Sequence, residues 1–66
     1  MQNKIREIRF FQKKTLADLS RASGINMARL SHLERGIFPP TEIEIQKIAK
    51  ALHTPVSDVF AGKGAQ

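Results

Sequence analysis

Apolar residues recur at helical spacing in five short stretches, and no alternating apolar–polar run that would suit a strand lies between them. The first stretch runs from about Asn3 to Gln12, with Asn3 in an N-cap position and Ile5, Ile8 and a following phenylalanine directed inward. The second opens at Thr15, where Asp18 three residues on makes a weaker variant of the capping box. It carries Leu16, Leu19 and Ser20 and stops at Gly24, which suits the left-handed position after a helix. Asn26 caps the third, whose inner stripe is Leu30 and Leu33 and whose end is Gly36. Ile37-Phe38-Pro39-Pro40 cannot continue it and reads as a loop. Thr41 and Glu44 form a full capping box for the fourth, which places Ile45, Ile48, Ala49 and Leu52 on one face. Thr54-Pro55 opens a short fifth helix anchored by Val56, Val59 and Phe60. The pattern predicts an all-α fold, a compact bundle of five helices.

The segment from Leu16 to Leu33 carries the most information. Its two helices meet at a three-residue turn, Ser23-Gly24-Ile25, too short for a parallel hairpin and suited to a steep crossing. Backbones that cross closely need small contact residues, and Ser20 and Ser23 supply them. Gly24 makes the turn and Ile25 plugs the junction. With Leu30 and Leu33 inward, Met27, Ala28, Arg29, Ser31 and His32 must face outward.

Composition narrows the function. The 66 residues suit one domain, residues 1–60, followed by a flexible tail over 61–66. There is no cysteine, and His32 and His53 lack metal-binding spacing, so neither a metal nor another cofactor is expected. His53 reads as a surface residue at a helix end. Eleven Lys and Arg against six Asp and Glu give a net charge of +5 and a pI near 10.3, a balance that favours polyanionic partners such as nucleic acid. No nucleophile–base arrangement, paired-carboxylate pocket or Gly-rich phosphate loop is present, so enzymatic activity is not expected. Met1-Gln2-Asn3-Lys4 leads straight into an amphipathic stretch without the apolar core of a signal peptide, and no window could span a membrane; a cytoplasmic protein is expected.

Thr15-Leu16-Ala17-Asp18-Leu19-Ser20-Arg21-Ala22-Ser23-Gly24-Ile25-Asn26, then Leu30-Ser31-His32-Leu33-Glu34-Arg35-Gly36, resemble the phage-repressor-like (Xre, lambda-repressor-like) helix-turn-helix family. So do Pro40-Thr41, Ile48-Ala49-Lys50-Ala51-Leu52 and Val59-Phe60, so that the likeness covers about residues 3 to 60. It implies a domain that binds double-stranded operator DNA, usually as a homodimer, with a recognition helix at about Asn26 to Arg35. Asn26 then stands where the family caps that helix and touches a phosphate. Met27, Ala28, Arg29, Ser31 and His32 face the bases, with Arg29 suited to guanine or phosphate. Amides at Thr15 and Leu16, reinforced by Lys13 and Lys14, would bind phosphate on one side. Arg35 and the amides of Gly36 to Phe38 would bind it on the other. Arg9 and Glu34 hold the positions of an ion pair that, in the family, ties the first helix to the end of the third.

The sequence also departs from the family. Leu16 replaces a common DNA-contacting glutamine, and Lys13-Lys14 replace the usual Gly and Leu. The missing core leucine points to Phe10 or Phe11 as its substitute. Glu42-Ile43 reverses the usual apolar–polar order. Core or half-buried packing is therefore expected for Phe10, Phe11 and Ile43, the alternative being a partner surface. Two rival functions use the same fold: an antitoxin-like protein-interaction subunit, or the DNA-binding module of a longer regulator.

Overall fold

The computed structural model describes residues 3–60; the expected tail over 61–66 lies outside the described residues. Five helices follow in order: α1 (Ile5–Phe11), α2 (Leu16–Ser23), α3 (Met27–Glu34), α4 (Glu42–Ala51) and α5 (Val56–Val59), with no strand among the described residues. α2 packs on both α3 and α4, and α4 on α5. The core comprises Ile5 of α1, Leu19 of α2, Leu30 and Leu33 of α3, Ile45 and Ile48 of α4, and Leu52, Val59 and Phe60, with Ile8 and Leu16 packed at its edge. Truncating one of these leucines to alanine typically costs about 2–5 kcal/mol.

Helix starts follow side-chain chemistry. The Thr15 and Asp18 side chains and backbones exchange both bonds of a capping box, at 2.9 and 3.0 Å, and Thr41 and Glu44 do the same at 2.9 and 3.2 Å. Asn26 accepts from the Arg29 amide at 2.8 Å. Asn3 stands one residue too early to be the cap of α1, a position held by Lys4. Its Oδ1 still accepts from the Ile5 amide, while its Nδ2 donates to the Leu33 carbonyl and ties the chain start to α3. Thr54 does not cap α5: its hydroxyl donates backwards to the Leu52 carbonyl, and Pro55 stands at the cap.

Helix ends are more unusual. α1, α3 and α4 each end in the paired 6→1 and 5→2 backbone bonds of a Schellman motif, which requires a left-handed residue. Gly36 fills it after α3, at φ 74°, but Lys13 fills it after α1, at φ 58°, and His53 after α4, at φ 53°. At the end of α4 the carbonyls left over by the helix are satisfied from afar: Gln12 Nε2 donates to Leu52 O at 2.6 Å and Lys14 Nζ to Ala51 O at 2.8 Å.

Phe10 and Phe11 correct the expectation of core packing, for both are exposed, Phe11 almost fully. The buried face of α1 is Ile5, Ile8 and Arg9, and Gln12 continues it at helical spacing; residues 10 and 11 fall off that stripe. Phe10 instead lies beneath the Arg6 and Arg9 guanidinium groups, at 5.3 and 4.9 Å from its centroid. Ile43 is exposed for the same geometric reason, since Ile45, Ile48 and Ala49 define the inward face of α4. Val56 is exposed as well, leaving Val59 and Phe60 to anchor the end of the domain.

Candidate nucleic-acid interface

The connection between α2 and α3 is Gly24-Ile25-Asn26, one residue later than the spacing predicts. Gly24 takes φ 77°, and a Cβ built there meets no other atom within 4 Å, so glycine is needed for its backbone angle alone. Ser20 Oγ donates to the Ile25 carbonyl at 2.7 Å and Ser23 Oγ accepts from the Ile25 amide at 3.2 Å. Two small hydroxyls therefore satisfy both polar groups of the turn residue while its side chain is buried. This junction fixes where α3 leaves the body of the molecule.

On α3, Leu30 and Leu33 are buried, Met27 and Ala28 are exposed, and Ser31 and His32 are half-buried. The outward face thus begins with two apolar side chains. The His32 ring meets Phe38 edge-on, with centroids 5.5 Å apart, so the loop after α3 lies against its second turn. Asn26 and Arg35, at the two ends of the helix, are exposed.

Among the described residues three arginines meet carboxylates, two of these pairs involving α3. Arg9 and Glu34 pair at 2.6 Å with both side chains about 10% exposed, and Arg9 Nη1 also donates to the Lys14 carbonyl. Arg21 meets Asp18 at 2.6 Å on the surface of α2. The backbone amide and hydroxyl of Thr15, followed by the neighbouring cations, hold the Asp18 carboxyl below its ordinary range. Arg29 is held bidentately by Glu44, Nε to Oε2 at 2.8 Å and Nη2 to Oε1 at 2.9 Å. That bond, with the Thr41 cap, lowers Glu44 to about 2 and raises Arg29. Asp18, Glu34 and Glu44 are half of the six carboxylates, and each meets an arginine, while the chain retains its net charge of +5.

Among the sequence-chosen residues, Met27, Ala28, Ser31 and His32 share the outward face of α3. Asn26, Arg35 and Phe38 flank it, and Lys13, Thr15 and Leu16 stand at the start of α2. A hollow of about 300 Å³ beside Ser31 and Arg35 is lined also by Arg6, Arg9, Phe10 and Glu34. Arg6 adds a cation there that the sequence did not single out. A larger hollow, about 380 Å³, lies among Lys14, Lys47, Lys50 and His53, and no α3 side chain lines it. Two assigned cations are turned to other tasks. Lys14, which follows the left-handed turn at Lys13, caps α4 through the Ala51 carbonyl. Arg29 is drawn to Glu44, a residue fifteen positions away across a proline loop that no local pattern connects to α3.

Among the described residues no helix is long and apolar enough to cross a membrane, and no group of three or more His, Cys, Asp and Glu could hold a metal ion. The helix-turn-helix family model matches residues 5–59. No curated protein matches the chain.

Proposed function

The chain belongs to the phage-repressor-like helix-turn-helix family of DNA-binding regulators, and from that premise we propose that it is a non-enzymatic, cytoplasmic repressor that occupies an inverted-repeat operator as a homodimer. The observation that supports this reading is the serine-lined, glycine-turned junction that presents Met27 and Ala28 at the exposed start of a firmly cored helix. α3 enters the major groove, with Met27 and Ala28 contacting thymine methyl groups and Ser31 and His32 the hydrogen-bonding edges. Lys13, the Leu16 amide, Asn26, Arg35 and the Phe38 amide bind phosphates on either side of the groove, the Thr15 amide being already taken by Asp18 in its capping box, and Arg6 extends the cationic rim. Two copies place their recognition helices about 34 Å apart, one turn of duplex.

Selection from randomised duplex DNA, followed by titration at two salt concentrations, tests this. An enriched inverted repeat whose affinity falls steeply with salt is the expected result. Indifference to every duplex at low ionic strength refutes it.

Exposure of Phe10, Phe11 and Ile43 favours a second reading, a subunit that covers a protein partner. Substituting these three by serine leaves DNA affinity unchanged on that reading and abolishes partner capture.

A further inference from the structure

Arg29 carries the largest hydrogen-bonding capacity on the outward side of α3, yet its guanidinium is committed within the molecule. Beyond the fork to Glu44, Nη2 lies 3.4 Å from the Pro39 carbonyl, and the guanidinium carbon sits 5.8 Å from the Phe38 centroid. Its side chain is 31% exposed, against 74% for Arg21 in the surface pair. Glu44 has an anchor independent of Arg29, because Oε1 accepts from the Thr41 amide as part of the α4 capping box. The carboxylate is thus a fixed fork, and a planar guanidinium can fill one fork at a time. The other fork on offer in a major groove is guanine O6 and N7, which carries no formal charge, whereas the carboxylate pair is charge-assisted.

We propose that Glu44 and Arg29 form a specificity-determining clamp: Glu44 withholds the guanidinium from base edges, so that Arg29 positions the 36–40 loop against α3 and the bases meet only Met27, Ala28, Ser31 and His32. This rests on the DNA-binding reading above. The clamp also acts negatively, since a guanidinium that left for a base would strand a carboxylate close to DNA phosphates. Arg29 is a positioning residue here, and Phe38 is the surface it positions.

The test uses motif selection with three full-length proteins: wild type, Glu44→Gln, and Arg29→Met combined with Glu44→Gln. Glutamine at this position keeps the capping box while removing the charge. The double variant removes the guanidinium without leaving a carboxylate unpaired. Glu44→Gln is expected to gain a guanine preference of about tenfold at one position in each half-site. The double variant is expected to return the wild-type motif. A Glu44→Gln motif identical to wild type overturns the clamp, as does a double variant that loses a guanine the wild type selects. Should Glu44→Gln melt below the assay temperature, the double variant decides alone by that second criterion. A wild-type arm with no motif refutes the DNA-binding reading and this one with it, an outcome distinct from either of the others.

Discussion

Replacing Arg9 by methionine removes the strut between α1 and the far end of α3. Arg9 is 8% exposed, and its Nε, Nη1 and Nη2 reach both oxygens of Glu34, at 2.6 and 3.3 Å, and the Lys14 carbonyl, at 3.0 Å. Without the guanidinium, a mostly buried carboxylate and a backbone carbonyl lose their partners together. Breaking a buried pair on one side typically costs about 3–5 kcal/mol. The remaining exposure of Glu34 admits some water, which puts the expected loss near the lower end, about 3 kcal/mol. A domain of this length has roughly 3–10 kcal/mol to lose. The midpoint of melting should therefore drop by roughly 12–24 °C. Glu34→Met should cost a similar amount, because it strands the cation instead. The double variant Arg9→Met/Glu34→Met, with neither charge left, should recover most of that loss, the Lys14 carbonyl alone remaining without its donor. Urea denaturation of all four proteins, followed by helical circular dichroism, closes the cycle. Single variants that each cost under about 1 kcal/mol, or a double variant as damaged as the two singles together, would refute the argument.

Acid should weaken the Glu44 clamp. The Glu44 carboxyl is lowered from 4.5 to about 2 in the folded protein, so its contribution is present above about pH 4.5 and is lost as pH falls towards 2. With screening at a partly exposed pair, the contribution is about 1 kcal/mol at most, and the gap in melting temperature between wild type and Glu44→Gln should narrow over that interval; a gap undiminished at pH 2 contradicts it. His53→Gly should raise stability by roughly 0.5–1 kcal/mol by relieving a left-handed non-glycine residue, while Gly24→Ala should cost about 1–2 kcal/mol for the reverse reason, both read by thermal melting. Lys13→Ala should lower affinity evenly across DNA sequences and flatten the salt slope by about one ion; loss confined to one sequence would remove Lys13 from the phosphate path.

What the order of residues determined by itself is everything decided within about one helical turn. Thr15 with Asp18, Thr41 with Glu44, and Asn26 with the Arg29 amide are three residues apart, so each start could be read without knowing the rest of the fold. Gly24 and Gly36 marked their ends because glycine reaches positive φ without a Cβ penalty. The same φ at Lys13 and His53 was not legible, since there the surrounding bonds, not the residue type, hold the turn. Leucine and isoleucine spacing was enough to choose the buried face of α3 and α4. On α1 the inward positions went to Arg9 and Gln12, whose polar ends are satisfied by Glu34 and by the Leu52 carbonyl. Hydrophobicity alone therefore pointed to Phe10 and Phe11, and helical phase overruled it. Tertiary structure alone decided where the long cations went. Lys14 reached the end of α4 and Arg29 reached Glu44 because folding brought unsatisfied carbonyls and an independently anchored carboxylate within reach. A long flexible side chain takes the best-placed charged or polar partner that folding supplies, and local sequence does not name that partner.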